Sequence, residues 1–307
     1  MIVPNFNKLQ LVDGSERGTG WKPRYPDLRD YTEESPQIAE HVAKLGFKAE
    51  APLPKAVDKS EHFPPVKDQL NIGSCTANAA SNIIEYYQSR AFGKYIPSSR
   101  LFIYKTTRNL QRDIGDVGAY LRTTMAAIAL FGTPPEEYHP YKTVDYDKEP
   151  NSFLYSMADN YEATYYFCLD PVGVNETKDV VLNRIKKFIN VGIPSMFGFY
   201  IFSSFERGRQ AGSPEGNEGY IPFPGNTEEV QGGHAIVIAG YNDELVIIND
   251  ATGEPTVGAF KILNCWGTSW GFNGYGWLPY KYVETGLACD FWSIISMRWL
   301  DTGKFGL

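Results

Sequence analysis

The chain has 307 residues, 36 acidic against 29 basic, for a net charge of −7; nucleic-acid surfaces need clustered Lys and Arg, which this balance argues against. No run approaches the roughly 18 apolar residues of a membrane span, and the length suffices for one large domain or two packed subdomains. The four cysteines (Cys75, Cys168, Cys265 and Cys289) form no CxxC pair, which disfavours a zinc site or a dense disulfide framework.

Residues 1–51 are rich in charge and Pro, and their apolar positions (Trp21, Tyr25, Leu28, Tyr31) follow neither a helical nor a strand period. The stretch GWKPRYPDLRDYT reads as a Pro-stiffened strap lying along another surface, with a partly disordered tail as the alternative. The start lacks a basic segment followed by an apolar one, so no secretory leader is expected, and a cytoplasmic, reducing setting follows as an expectation.

From Cys75 to Arg90, Ala79, Ile83, Ile84 and Tyr87 recur at helical spacing. Ser98 or Ser99 caps a second helix, and a third spans Ala119–Phe131, closed by Gly132 and stopped by Pro134 and Pro135. A fourth covers Lys178–Val191. Strands are expected at Ser195–Phe202, His234–Gly240, Glu244–Asn249, Gly258–Asn264 and Asp290–Arg298, with Glu206–Val230 a long exposed loop. Helices followed by strands indicate an α+β protein of two subdomains.

Three segments carry chemistry. QLNIGSC (Gln69–Cys75) runs into the first helix, whose N-terminus lowers a thiol's pKa; Gly73 permits close approach of a substrate backbone. Gln69 can return its amide to the thiol as an oxyanion donor beside the Cys75 N–H. By itself this could also be a small buried residue at a helix start. QGGHAIVIAGY places His234 at a strand mouth after two glycines, where an imidazole can exchange protons or merely be structural. LNCWGTSWGFNGYGW puts Asn264 at a strand end, able to orient an imidazole under the cover of Trp266, or simply to pack. Together they form the pattern of nucleophile, base and orienter.

On these motifs, residues 52 to about 299 resemble the papain (C1) family of cysteine peptidases, in a bacterial-type form with a short N-terminal prosegment. LPKAVD and PPVKDQ look like the start of such a domain, and GGHAIVIAGY and NCWGTSWGFNGYG match its His and Asn motifs. The resemblance implies a helical part (about 66–172) and an antiparallel β-rich part (about 173–300) within 52–307, with the active-site cleft between them. It also implies a thiol-protease mechanism. Cys75 and His234 would rest as a thiolate–imidazolium pair; Cys75 would form the thioester, and Gln69, His234 and Asn264 would act as oxyanion donor, base and orienter. No metal or organic cofactor is implied.

The match has departures. Where the family's signature reads C-G-S-C-W, this chain has Ile72 and Thr76 at the first and last positions, so the disulfide of that first cysteine is missing. His234 and Asn264 follow Cys75 by 159 and 189 residues, beyond the roughly 130–150 usual in the family. The excess is assigned to Glu206–Val230 and to a hairpin around Asn249–Gly258.

Gly73, Gly118, Trp266 and Asp290 are the expected substrate-side residues, with Asp290 at the floor of the pocket for the second substrate side chain. There it would admit Arg or Lys as well as apolar groups. The partners expected are a peptide or protein substrate and the chain's own residues 1–51 as a zymogen-like inhibitor, with neither nucleic acid nor membrane. Two other readings compete: a non-catalytic binding protein on the same scaffold, and another thiol amidase or acyl-transferase.

Overall fold

The computed structural model describes residues 8–11, 13–46, 52–213 and 219–298; the expected boundary near residue 51 lies outside them. A hairpin opens the chain, β1 (Lys8–Gln10) against β2 (Glu16–Gly18), followed by α1 (Pro36–Lys44) and β3 (Ala56–Asp58). Then come α2 (Cys75–Phe92), α3 (Arg100–Gln111), α4 (Leu121–Phe131), α5 (Ser152–Ala158), β4 (Ala163–Cys168) and α6 (Lys178–Asn190). The remainder is β5 (Met196–Phe202), β6 (Gly208–Gln210), β7 (Val230–Asn249), β8 (Pro255–Leu263), β9 (Tyr275–Pro279), a short α7 (Lys281–Glu284) and β10 (Ala288–Met297).

The helix ends follow local chemistry. Ser99 Oγ accepts from Phe102 N–H and caps α3, while Gly93 and Gly132 take positive φ just past α2 and α4. α2 is buried on every side from Cys75 to Gln88. Its polar residues are therefore enclosed, and Glu85 is well partnered: its Oε1 accepts from Lys67 Nζ (2.8 Å), the Ser98 N–H (2.8 Å) and Ser81 Oγ (2.9 Å).

Eight antiparallel strands make the sheet, ordered β4-β10-β5-β7-β8-β9, with β3 and β6 also pairing with β7. The two strands expected at 234–240 and 244–249 are one, because register shifts opposite β8 carry β7 through without a turn. Ala163–Cys168 was expected in the helical part but pairs with β10, so the sheet reaches back across that boundary. The described residues of 206–230 are less exposed than their composition implies. β6 pairs with β7, Ile221 is buried, and Tyr282 Oη donates to the Pro222 carbonyl (2.9 Å).

Residues 24–45 are built into this body. Cys168 N–H donates to the Tyr31 carbonyl (2.8 Å), Arg184 binds Glu33 (2.7 Å), and Arg122 binds Asp27 (2.9 Å) and Asp30. α1 seats a fully buried Ile38 and touches β4 and β10, with His41 against Tyr165. The strap expected to stay extended thus contains a helix, with Pro36 in its first turn.

Candidate active site

Cys75 is the first residue of α2, so its thiol lies at the helix's positive end. His234 leaves β7 in the register opposite Phe199 of β5, and Asn264 follows β8 directly. His234 Nε2 lies 2.8 Å from Asn264 Oδ1. That oxygen also accepts the Cys265 N–H at 2.8 Å, so it can only accept, and Nε2 carries the proton. Nδ1 has no hydrogen-bond partner and keeps its lone pair. Trp266, fully buried, stacks on the imidazole with ring centroids 4.6 Å apart. Gln69, enclosed, accepts from Cys265 Sγ (2.8 Å) and so has its amide N–H groups turned the other way.

A peptide already fills the cleft, and it is the chain's own Gly18-Thr19-Gly20-Trp21. Gln69 Nε2 donates to the Gly18 carbonyl and to the Ile72 carbonyl, both at 2.9 Å. Ala119 N–H donates to the Gly20 carbonyl (2.7 Å), Lys22 N–H to the Ala119 carbonyl (3.0 Å), and Trp21 N–H to the Gly233 carbonyl (3.2 Å). The two glycines are steric requirements. A Cβ on Gly18 would lie 2.0 Å from the Ile72 carbonyl oxygen, and one on Gly20 would lie 2.0 Å from that of Gly73.

Sealing the cleft changes the electrostatics. Burial pushes the Cys75 thiol up to about 12, against the opposing pull of the N–H groups of Ala235, Gly20, Thr76 and Cys75 itself. Burial likewise lowers the His234 imidazole to about 4, opposed by its bond to Asn264. The expected thiolate–imidazolium pair is therefore not the state of this closed form: thiol and imidazole are both neutral, because neither charge has water to solvate it.

The sequence-derived residues on the substrate side divide. Gly73 faces the Thr19 carbonyl and donates its N–H to Asp116 Oδ1 (2.8 Å). Gly118 takes φ +73, and a Cβ there would sit 2.2 Å from the Gly20 carbonyl oxygen, but backbone pairing with the strap falls to Ala119. Trp266 covers His234. Asp290 is wholly buried with φ +66, and Trp21 Nε1 donates to its Oδ2 at 3.0 Å. Sequence reasoning missed Ala119, the two strap glycines and Arg24. The GTGW run before the strap's prolines was the available signal for the glycines, whereas nothing local marks Arg24.

No protein-family model matches the chain. A protein of Acanthamoeba polyphaga mimivirus, described as an uncharacterized peptidase C1-like protein, is 33% identical over 231 residues, 74% of this chain and 68% of that protein. Xylellain, a cysteine protease from Xylella fastidiosa, superposes with a TM-score of 0.70 at 30% identity over 92% of this chain and 97% of its own. Procathepsin B S9 of Trypanosoma congolense (TM-score 0.60, 14% identity, 91% and 86% covered) and pineapple bromelain from Ananas comosus (0.53, 18%, 78% and 98%) share the fold. The fold is thus the papain-like α+β arrangement, and it defines the class of a thiol hydrolase. The chain belongs to the papain-like C1 cysteine peptidase family.

Proposed function

We propose that this cysteine endopeptidase is seen in a latent form, with Gly18–Trp21 as a latch lying where substrate binds. The observation that carries the reading is the Gly18 carbonyl held by Gln69 Nε2, the donor set for an oxyanion, while a backbone N–H of the same segment faces the Cys75 sulfur. The N–H of Gly20 facing the sulfur, with the thiol kept neutral by burial, suits a segment that occupies the cleft rather than one that is cut there.

Once the latch leaves, water and substrate enter, and the burial that keeps both groups neutral is relieved. Cys75 loses its proton to His234 Nδ1, helped by the helix terminus, and attacks the substrate carbonyl carbon. The oxyanion is held by Gln69 Nε2 and the Cys75 N–H. His234 then protonates the departing amine, leaving a thioester, and activates the water that hydrolyses it. Asn264 holds the Nε2 proton, which leaves the Nδ1 lone pair to take the proton from sulfur.

The test is hydrolysis of fluorogenic peptides under reductant by the full-length chain, by Gly20→Leu, whose side chain cannot coexist with the Gly73 carbonyl, and by Gly20→Leu with Cys75→Ala. Low turnover in the first, high in the second and none in the third is expected. Equal turnover by the first two removes the latch from the account; turnover that survives Cys75→Ala removes the nucleophile.

A further inference from the structure

We infer that Arg24 is a specificity-determining residue: it stays in the Asp290 pocket after Trp21 leaves and makes that pocket select an aromatic hydrogen-bond donor over a basic side chain. This rests on the reading that Trp21 occupies a substrate side chain's place.

The pocket is shaped around an indole. A Cβ on Gly198 would lie 1.9 Å from the Trp21 ring and one on Gly233 2.9 Å from it, while Tyr200 meets that ring edge-on at 5.2 Å. At the floor, Asp290 has little acceptor capacity to spare. Its Oδ1 receives Trp292 Nε1 at 2.6 Å and lies 3.5 Å from Arg24 Nε, leaving Oδ2 for the Trp21 indole. The second carboxylate near Arg24, that of Asp170, is turned away from the pocket. It accepts the backbone N–H groups of Asp290 (2.8 Å) and Phe291 (2.7 Å) and lies 3.2 Å from Arg24 Nη2. A Lys or Arg side chain entering in place of Trp21 would therefore bring a second buried cation to the one carboxylate that faces the pocket. An indole N–H meets Oδ2 with no added charge.

Arg24 is also better anchored than the residues before it. Its side chain is only 7% exposed, it donates to Cys168 Sγ (2.6 Å) and to the Asp170 carbonyl, and it lies over the Trp292 ring at 5.6 Å. The chain beyond it is held by Arg122, Arg184, the Tyr31 carbonyl and the buried Ile38. Gly18–Trp21, by contrast, is held across the cleft that substrate must enter. The latch can lift while Arg24 stays. The expectation that Asp290 admits basic side chains treated the carboxylate as unpaired; the strap supplies its counter-ion.

The experiment uses the full chain carrying Gly20→Leu and peptide amides that differ only in having Trp, Leu or Arg two residues before the scissile bond. The expected kcat/KM order is Trp, then Leu, then Arg. Adding Arg24→Gln is expected to raise the Arg-to-Trp ratio about tenfold, and Arg24→Lys, which keeps the charge, to retain the parent order. A preference for Arg over Trp with Arg24 in place overturns the inference, and that comparison stands even where Arg24→Gln does not fold. An unchanged ratio in a folded Arg24→Gln chain overturns it as well. A Gly20→Leu chain that unfolds cooperatively yet cleaves none of the peptides overturns the underlying reading of the cleft, and the inference with it.

Discussion

Cys75, His234 and Trp21 each owe their present state to burial. Burial pushes the Cys75 thiol up to about 12, and the sulfur is fully enclosed, so a reagent reaches it only when the latch opens. Iodoacetamide alkylation of the full chain at about pH 7, followed by mass spectrometry at Cys75, should therefore be slow, limited by the open fraction. In Gly20→Leu it should be fast; equal rates would contradict the closed site. Trp21 is the latch's main apolar anchor, 4% exposed and tied to Asp290. Trp21→Ala should weaken closure by about 3 kcal/mol, which is roughly a hundredfold in the open fraction. The corresponding rise in full-length turnover checks it. The residues proposed to do the chemistry were legible because their backbone settings are local: a Gly before a helix start, two Gly beside the His in a strand, a Gly-rich aromatic turn. Ala119 was not, since it is chosen by a backbone N–H and C=O that every residue has.

At the scale of elements, α2 works as the central post between the other helices and the sheet. Its Glu85 answers the buried Lys67, whose ammonium burial disfavours. Glu85→Ala would leave that cation unpaired and should cost about 3 kcal/mol in urea unfolding. α1 makes a parallel case for the strap. Ile38→Ala should cost about 3 kcal/mol of global stability while leaving the latch shut; a variant that became active without being destabilised would place α1 with the latch instead. Helix ends were readable from Ser99, Gly93 and Gly132, because caps are local. The continuity of β7 was not, because a bulge is decided by the partner strand's register.

For the whole molecule, the N-terminal region of the proposed latent form divides into a latch that ends at Trp21 and a fixed segment from Arg24 to Leu45. A chain beginning at Pro23 should show high turnover and melt somewhat below the full chain, because it loses the buried Trp21 and its bond to Asp290. A chain beginning at Pro52 should melt well below it, since it loses the Arg122, Arg184 and Ile38 contacts together. Equal melting temperatures would mean that the whole region is dispensable. The sequence by itself placed α2, α3, α4 and α6 ahead of β5, β7, β8 and β10, and pointed to the Cys, His, Asn and Gln of the proposed centre and to the family, because capping, periodicity and Gly-framed motifs are properties of neighbouring residues. Only the tertiary structure decided that Gly18 sits on Gln69, that thiol and imidazole are neutral in the closed form, and that Arg24 meets Asp290 from 266 residues away. Those are contacts between distant segments, and their energies depend on water excluded by the whole fold.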